Sequence, residues 1–389
     1  MYGGQWFCQC CPLNSEITQM ARFWAHILKE YNAAGTVSEF RGANVKGETD
    51  YGYAAGTAGT DYIIPDIEDQ SLSINDTNNF YPIVSYASKG GMRHGVVVGY
   101  SVAGSFATKL YREHADFLIG SALTKEDAST NPLGDIPSLQ IDRCFWDSDP
   151  VAPKLYADSY KGVKIGTFSL TVGAQSPIVQ AQMQLLGSTC TPITVTNGVP
   201  AKGKKPACTE YPVNPYTFKQ TSVYADFNGT GLYTITSGTK DWTVPTAKKL
   251  ITIRSVSLTF LNNLASTSHS DGVLDRIQRT VQAAQYSIVV DLSDPDGTGT
   301  GDGTYGSQIF RKRYRDMRDA VEGGRVAFAV VFDDGVKRIS FDLGPKTVFD
   351  GLQHITPIPD IFAAQISGMA MFNPADCNTF DWNIENLDP

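Results

Sequence analysis

The residues best suited to chemistry do not combine into a site. Cys8, Cys10 and Cys11 cluster just ahead of Pro12, with His26 the nearest further donor. Structural zinc takes four ligands, usually from spaced pairs, and Cys-x-Cys-Cys supplies no second pair; buried or surface thiols are the simpler reading. Asp294-x-Asp296-x-Thr298-Gly299 opens like a calcium loop. Such a loop follows a helix and closes on a bidentate Glu at its twelfth position, which here is Tyr305. A flexible acidic loop is expected instead. The histidines at 26, 94, 114, 269 and 354 are scattered and form no His-Glu-x-x-His pattern. The chain has no Gly-x-Ser-x-Gly elbow and no Gly-x-x-x-x-Gly-Lys-Ser/Thr phosphate loop. No carboxylate pair is set apart by an apolar neighbourhood that would separate two pKa values. The expectation is a protein that is not an enzyme and holds no metal or cofactor.

The densest charge is basic: Arg311, Lys312, Arg313, Arg315 and Arg318 surround Tyr314. Spacing predicts a helix over 307–321, with Phe310, Met317 and Val321 toward the core and the cations outward. Contact with an acidic protein surface fits this face, with plain solvation or phosphate contact as alternatives. The stretch Asp61–Asp69, containing Asp66, Glu68 and Asp69, is a candidate mate across an interface. Tyr81 and Arg93 lie in the segment joining two expected strands. That loop, 80–95, and its counterpart 264–280 are expected to mediate contacts between subunits or rings.

Composition sets the frame for these residues. The chain has 389 residues, 42% of them apolar. Charged residues make up 19%, below the usual ~25% of globular chains. Two domains of ordinary size and a β-rich, turn-rich fold are expected. The formal net charge of −8 argues against bulk attraction to nucleic acid. Met1-Tyr2-Gly3-Gly4-Gln5 shows no early basic residue and no apolar run after it, so no signal peptide is expected, and no run approaches the ~18 apolar residues of a membrane span. Seven scattered cysteines, an odd count, fit synthesis in a reducing compartment.

One stretch occurs twice. Ser71-Leu72-Ser73-Ile74-Asn75-Asp76-Thr77-Asn78-Asn79 is answered, 184 residues later, by Ser255-Val256-Ser257-Leu258-Thr259-Phe260-Leu261-Asn262-Asn263. Ser71, Asn78 and Asn79 thus recur as Ser255, Asn262 and Asn263. Each copy reads as an alternating strand ending in an Asn-Asn turn. Around them both halves follow the order strand, strand, helix, strand, strand, strand. In the first half the helix is expected over 105–123, between strands at 96–102 and 138–145. In the second half strands are expected at 281–292, 326–332, 336–343 and 361–372. Another helix is expected over 16–31, where Ile17, Met20, Phe23, Trp24, Ile27, Leu28 and Tyr31 fall at three- and four-residue steps. The expected organisation is an N-terminal arm with that helix (1–44), a first unit (45–190), a Pro/Gly-rich linker (191–221) and a second unit (222–389).

The order of these motifs resembles that of tail tube proteins of long-tailed phages, in the class with two tube domains in one chain. Carrying the resemblance are Gly47-Glu48-Thr49-Asp50-Tyr51-Gly52, the Ser71-Leu72 strand and Leu118-Ile119-Gly120-Ser121-Ala122-Leu123. Ser138–Phe145, Tyr160-Lys161-Gly162-Val163-Lys164-Ile165 and Ser257-Leu258-Thr259-Phe260 with Asn262-Asn263 complete it. It covers roughly residues 45 to 386. It implies a mainly β fold, a sandwich or barrel with a flanking helix, duplicated in one chain. It also implies self-association into stacked rings, three chains in a pseudo-hexamer or six in a hexamer, around a lumen that passes DNA without specific binding. Tape measure, tail terminator and baseplate or tip proteins would be partners. The protein would be made in the host cytoplasm and reside in the virion tail. An acidic lumen would keep DNA from sticking. A β-sandwich module binding a receptor or carbohydrate is the alternative.

Overall fold

Polar and apolar residues alternate through most of the β-strands, as the pleat requires. Along 255–261, Val256, Leu258 and Phe260 are buried while Ser255, Ser257 and Thr259 are half-buried. The computed structural model describes residues 22–29, 62–63, 73–84, 92–123, 136–146, 155–192, 212–226, 231–236, 239–243, 249–250, 253–268, 274–291, 326–344, 347–355, 363–371 and 379–387.

In the first half these residues form β1 (Arg22–Lys29), β2 (Tyr62–Ile63), β3 (Ser73–Val84), β4 (Met92–Lys109), α1 (Ala115–Ala122), β5 (Leu139–Trp146), β6 (Leu155–Gly173), β7 (Gln180–Gly187) and β8 (Thr189–Pro192). The second half forms β9 (Thr221–Asp226), β10 (Thr234–Thr236), β11 (Thr239–Asp241), β12 (Lys249–Leu250), β13 (Ile253–Leu261), β14 (Leu264–Ser268), β15 (Leu274–Arg279) and β16 (Ala283–Asp291). It continues with β17 (Ala327–Asp333), β18 (Lys337–Asp342), β19 (Thr347–Ile355), β20 (Ala363–Ala370) and β21 (Asp381–Asn386). The protein is mainly β, and all the strand pairing among the named strands is antiparallel.

Each half builds two sheets in the same order. The first half has β3-β4-β7-β6 and β2-β1-β5-β6-β8; the second has β13-β16-β20-β19 and β12-β9-β17-β18-β21. In the first half one strand serves both sheets. Leu155–Val163 of β6 pairs with β5, and Lys164–Thr171 pairs with β7. Gly162, at φ 64, lies at the crossover, where a side chain would be strained. In the second half β18 and β19 divide this role, and Gly344 turns the chain between them at φ 80.

Register shows the correspondence at single-residue resolution. Ser73 pairs with Ser105 and Thr77 with Ser101; at the matching places Ser257 pairs with Ser287 and Leu261 with Ala283. Further out, Phe80 pairs with Val97 and Val84 with Met92, matched by Leu264 with Arg279 and Ser268 with Leu274. Irregularities recur too. The bulge at Ile83/Val84 has its equal at Thr267/Ser268, and that at Ile165/Thr167 has its equal at Phe349/Gly351.

One apolar cluster runs through both halves. Phe260, 0% exposed, is its hub, with ring centroids 6.2 Å from Phe168, 5.3 Å from Phe341 and 4.8 Å from Phe380. Tyr286 lies 4.9 Å from Phe328. These contacts clamp the β13-β16 face onto the β17-β18 sheet. In the first half α1 buries Phe117, Leu118 and Ile119.

Several expectations are corrected. The segment expected as an N-terminal helix holds β1, paired with β5 from Arg22↔Trp146 to Lys29↔Leu139. A short apolar run fits either period, and the aromatic and β-branched residues Phe23, Trp24 and Ile27 favour a strand once a partner edge is offered. The helix expected from 105 begins only at Ala115, because Phe106 and Thr108 are buried while Ser105 is exposed, continuing the β4 alternation. Asn78 and Asn79 do not turn; they pair with Tyr100 and Gly99 inside β3–β4. The expected loop 80–95 is largely the outer part of that hairpin, and much of 264–280 is the β14–β15 hairpin. At the start of the expected linker Thr191 and Pro192 pair with β6, and further along it Tyr216 is wholly buried. The expected helix over 307–321 lies outside the described residues.

Two stability predictions follow from this packing. Phe260→Ala should cost about 3–5 kcal/mol in denaturant unfolding, the usual range for a buried Phe. His114, just before α1, has its pKa pulled by burial from 6.5 down to about 4, against an opposing pull from Glu113. Its folded form therefore rejects the proton that the unfolded chain accepts. The neutral-imidazole contribution is present above pH 6.5 and is lost as pH falls toward 4, a change of roughly 2–3 kcal/mol. In His114→Gln, unfolding followed from pH 7 to 4 should lose that component.

Candidate assembly interface

The two halves meet by strand pairing. β6 pairs with β13 from Thr167↔Leu261 to Gly173↔Ser255. The four-stranded sheets thereby become one path, β3-β4-β7-β6-β13-β16-β20-β19. On the core side of the junction lie Phe168 with Phe260, Leu170 with Leu258 and Val172 with Val256, all buried. On the other side hydroxyls meet. Ser169 Oγ donates to Thr259 Oγ1 at 3.2 Å, and Thr171 Oγ1 and Ser257 Oγ lie 3.2 Å apart.

Asn262 locks one end of this junction. It is 0% exposed, and its Nδ2 donates to Ala122 O and Ile165 O, each at 2.8 Å. Its backbone N–H donates to Gly166 O at 2.9 Å, and Gln282 Nε2 donates to its Oδ1 at 3.2 Å. Ala122 O belongs to the last turn of α1, where carbonyls lack partners within the helix. One second-half side chain thus satisfies both the end of the first-half helix and the bulge in β6. Asn263 follows in the left-handed region at φ 42, which Asn tolerates better than most residues. Its Nδ2 donates to Val281 O at 2.9 Å, and Thr280 Oγ1 donates to its carbonyl at 2.6 Å.

Further links cross between the halves around α1. Arg112 Nη1 is 3.2 Å from Asp334 Oδ2, Lys337 Nζ pairs with Asp116, and Trp382 Nε1 donates to Leu123 O at 2.5 Å. In the second half Lys240 Nζ lies 2.8 Å from Asp342 and 3.3 Å from Asp381. Burial raises the pKa of Asp342, and Lys240 opposes that rise. A buried carboxylate persists only with such a partner.

The exposed side of the long sheet is largely uncharged. Ser105, Gln182, Thr171, Ser257, Gln285 and Gln365, one from each of six strands, are all exposed or half-buried. Neighbours bond across it, as in Gln365 Nε2 donating to Ser287 Oγ at 2.9 Å. From Met92 to Ser101, β4 pairs with β3 alone, because its pairing with β7 starts at Val102. That ribbon reaches about 30 Å past the sheet at ~3.3 Å per residue.

Of the residues singled out by sequence, Ser255, Asn262 and Asn263 come together at the β6–β13 junction. Asn78, Asn79, Tyr81 and Arg93 lie on the β3–β4 ribbon; Tyr81 pairs with Val96, and Arg93 is the extra residue of a bulge. Arg311, Lys312, Arg313, Arg315, Arg318, Asp66, Glu68, Asp69 and Ser71 lie outside the described residues, as do Cys8, Cys10, Cys11 and the 294–305 loop. Among the described residues no group of three or more His, Cys, Asp or Glu could hold a metal ion, and no helix is long and apolar enough to cross a membrane. The edge strand β19 escaped the sequence reading; Val348, Phe349 and Leu352 were its signal, blurred by the bulge before Gly351.

Compared with protein-family models and with curated proteins, the chain gives no match. Among solved structures it is similar to one described as the crystal structure of Hcp protein, at 15% identity over 44% of this chain and 98% of the other, with a TM-score of 0.21. A score that low carries no weight for fold or function.

Asn262→Ala would strand two buried carbonyls, costing about 1–3 kcal/mol. Denaturant unfolding of the variant should show that loss, and an unchanged midpoint would remove Asn262 from its tying role.

Proposed function

We propose that this chain is a structural subunit that assembles into rings stacked as a tube. The observation that carries this reading is the edge-to-edge junction of two matching sheets within one chain. β6 takes β13 as its neighbour, while β19 and β3, which hold the matching positions, end the path with no further strand among the described residues. An open strand edge invites pairing, and a head-to-tail contact repeated by rotation closes a ring. With two units per chain, three copies in a pseudo-hexamer is the preferred count and six copies in a hexamer the alternative.

The finer reading is a tail tube of a long-tailed phage, supported by the order of sequence motifs from Gly47–Gly52 to Asn262-Asn263. DNA would pass through the lumen, with tape measure, tail terminator and baseplate or tip proteins as partners, in a tail assembled from subunits made in the host cytoplasm. A wall made from the exposed sheet face would resist sticking through its lack of charge and not through acidity. Arg311, Lys312, Arg313, Arg315 and Arg318 would contact a neighbouring subunit. Supporting this is the way the first-half helix region reaches the second half through Arg112–Asp334 and Asp116–Lys337.

Negative-stain images of the purified chain should show rings or tubes, with three-fold top views. Monodisperse globules at every concentration and salt condition would overturn the reading.

A further inference from the structure

We propose that β19 of one copy pairs with β3 of a second copy in the register that β6 keeps with β13. Gly351 then faces Thr77, Gln353 faces Asn75 and Ile355 faces Ser73. Asn78 of the second copy would take at the Phe349–Gly351 bulge the place that Asn262 takes at the Ile165–Thr167 bulge. This rests on the ring-forming reading above and adds to it a defined join between copies.

The register comes from correspondences within the chain. β6 and β19 hold the same position in their sheets and carry the same bulge. β3 and β13 likewise match, both in their pairing to the next strand and in their faces. Ile74 and Leu258 are both wholly buried, while Ser73 and Thr77 are exposed. Carrying Thr167↔Leu261, Ser169↔Thr259 and Thr171↔Ser257 to the outer edges gives the three pairs named above. A one-residue slip would turn each alternating face over, so the buried Ile74 position fixes the register.

The edges differ from the internal junction where a contact between separate chains should differ. Opposite Phe168 and Leu170 stand Phe260 and Leu258. The corresponding positions at the join between copies are Leu352 and His354 opposite Asp76 and Ile74. An ionisable residue within an edge strand discourages indiscriminate pairing, and Asp76 and His354 are diagonal neighbours in the proposed register, within reach of long side chains. The Ile74 carbonyl already accepts from Arg143 Nη1 at 3.0 Å, and it keeps a second lone pair for a donor from the other chain.

The test is cysteine cross-linking on the full chain, with electron microscopy of the same samples. Asn75→Cys with Gln353→Cys should link copies on mild oxidation. Asn75→Cys with Leu352→Cys, one residue out of register, should not, and neither should the single variants, which control for the native cysteines. In the unmodified protein, hydrogen exchange at 73–77 and 351–355 should slow at least tenfold on assembly. Asn78→Ala, with unchanged melting as a monomer, should need at least tenfold more protein to assemble. Rings that form without the in-register link, or without protection of these two segments, would overturn this join and leave ring formation standing. Rings that form equally well with Asn78→Ala would remove Asn78 from it. Failure of the unmodified protein to form any ring would overturn both.

Discussion

The pairing of β6 with β13 is the constraint on which the rest of this structure depends. It joins two sheets that could each have ended in an open edge, and it sets Phe168 against Phe260 at the centre of the shared core. Because β13 is held there, β16 and β20 follow in order, and their inner faces meet the β17-β18 sheet through Tyr286 and Phe328. Asn262 finishes the joint by satisfying backbone groups from α1 and from β6. Hydrophobic contact supplies the adhesion, while the amide supplies the position.

Part of this was legible in the sequence. The recurrence of Ser71–Asn79 as Ser255–Asn263 marked two strands that prove to occupy matching places with matching registers. Alternation at Ser138–Phe145 and at Val163–Val172 located β5 and much of β6. Other features were hidden because local pattern and tertiary environment disagree. Phe23, Trp24, Ile27 and Leu28 satisfy a helical spacing, yet the open side of β5 makes them a strand. Asn-Asn is a turn signal, but it turns only in the second copy. There Asn262 has a helix end and a bulge to bind, and Asn263 adopts φ 42; in the first copy the same pair continues within β3. No local rule distinguishes them, since the difference lies in what stands beside each pair.

The candidate interface was less legible than the fold. Charge drew attention to Arg311–Arg318 and to Asp66, Glu68 and Asp69, whereas the described surface is organised by uncharged hydroxyl and amide side chains and by backbone edges. Such groups leave little trace in composition beyond a low charged fraction, and backbone edges leave none. β19 was missed for a related reason: Asp350 and Gly351 interrupt its alternation at the bulge that gives it the same form as β6.

The long strand β6 also has a mechanical consequence. Its 19 residues run as one covalent thread through both sheets of the first half. A pull along its axis would load the ladders on both sheets in shear, with their hydrogen bonds resisting together. In the second half the same path turns a corner at Gly344 between β18 and β19, and tension arriving there would bend the backbone before it reached the next ladder. The two halves share one architecture but would differ in stiffness, with the second half yielding first under load.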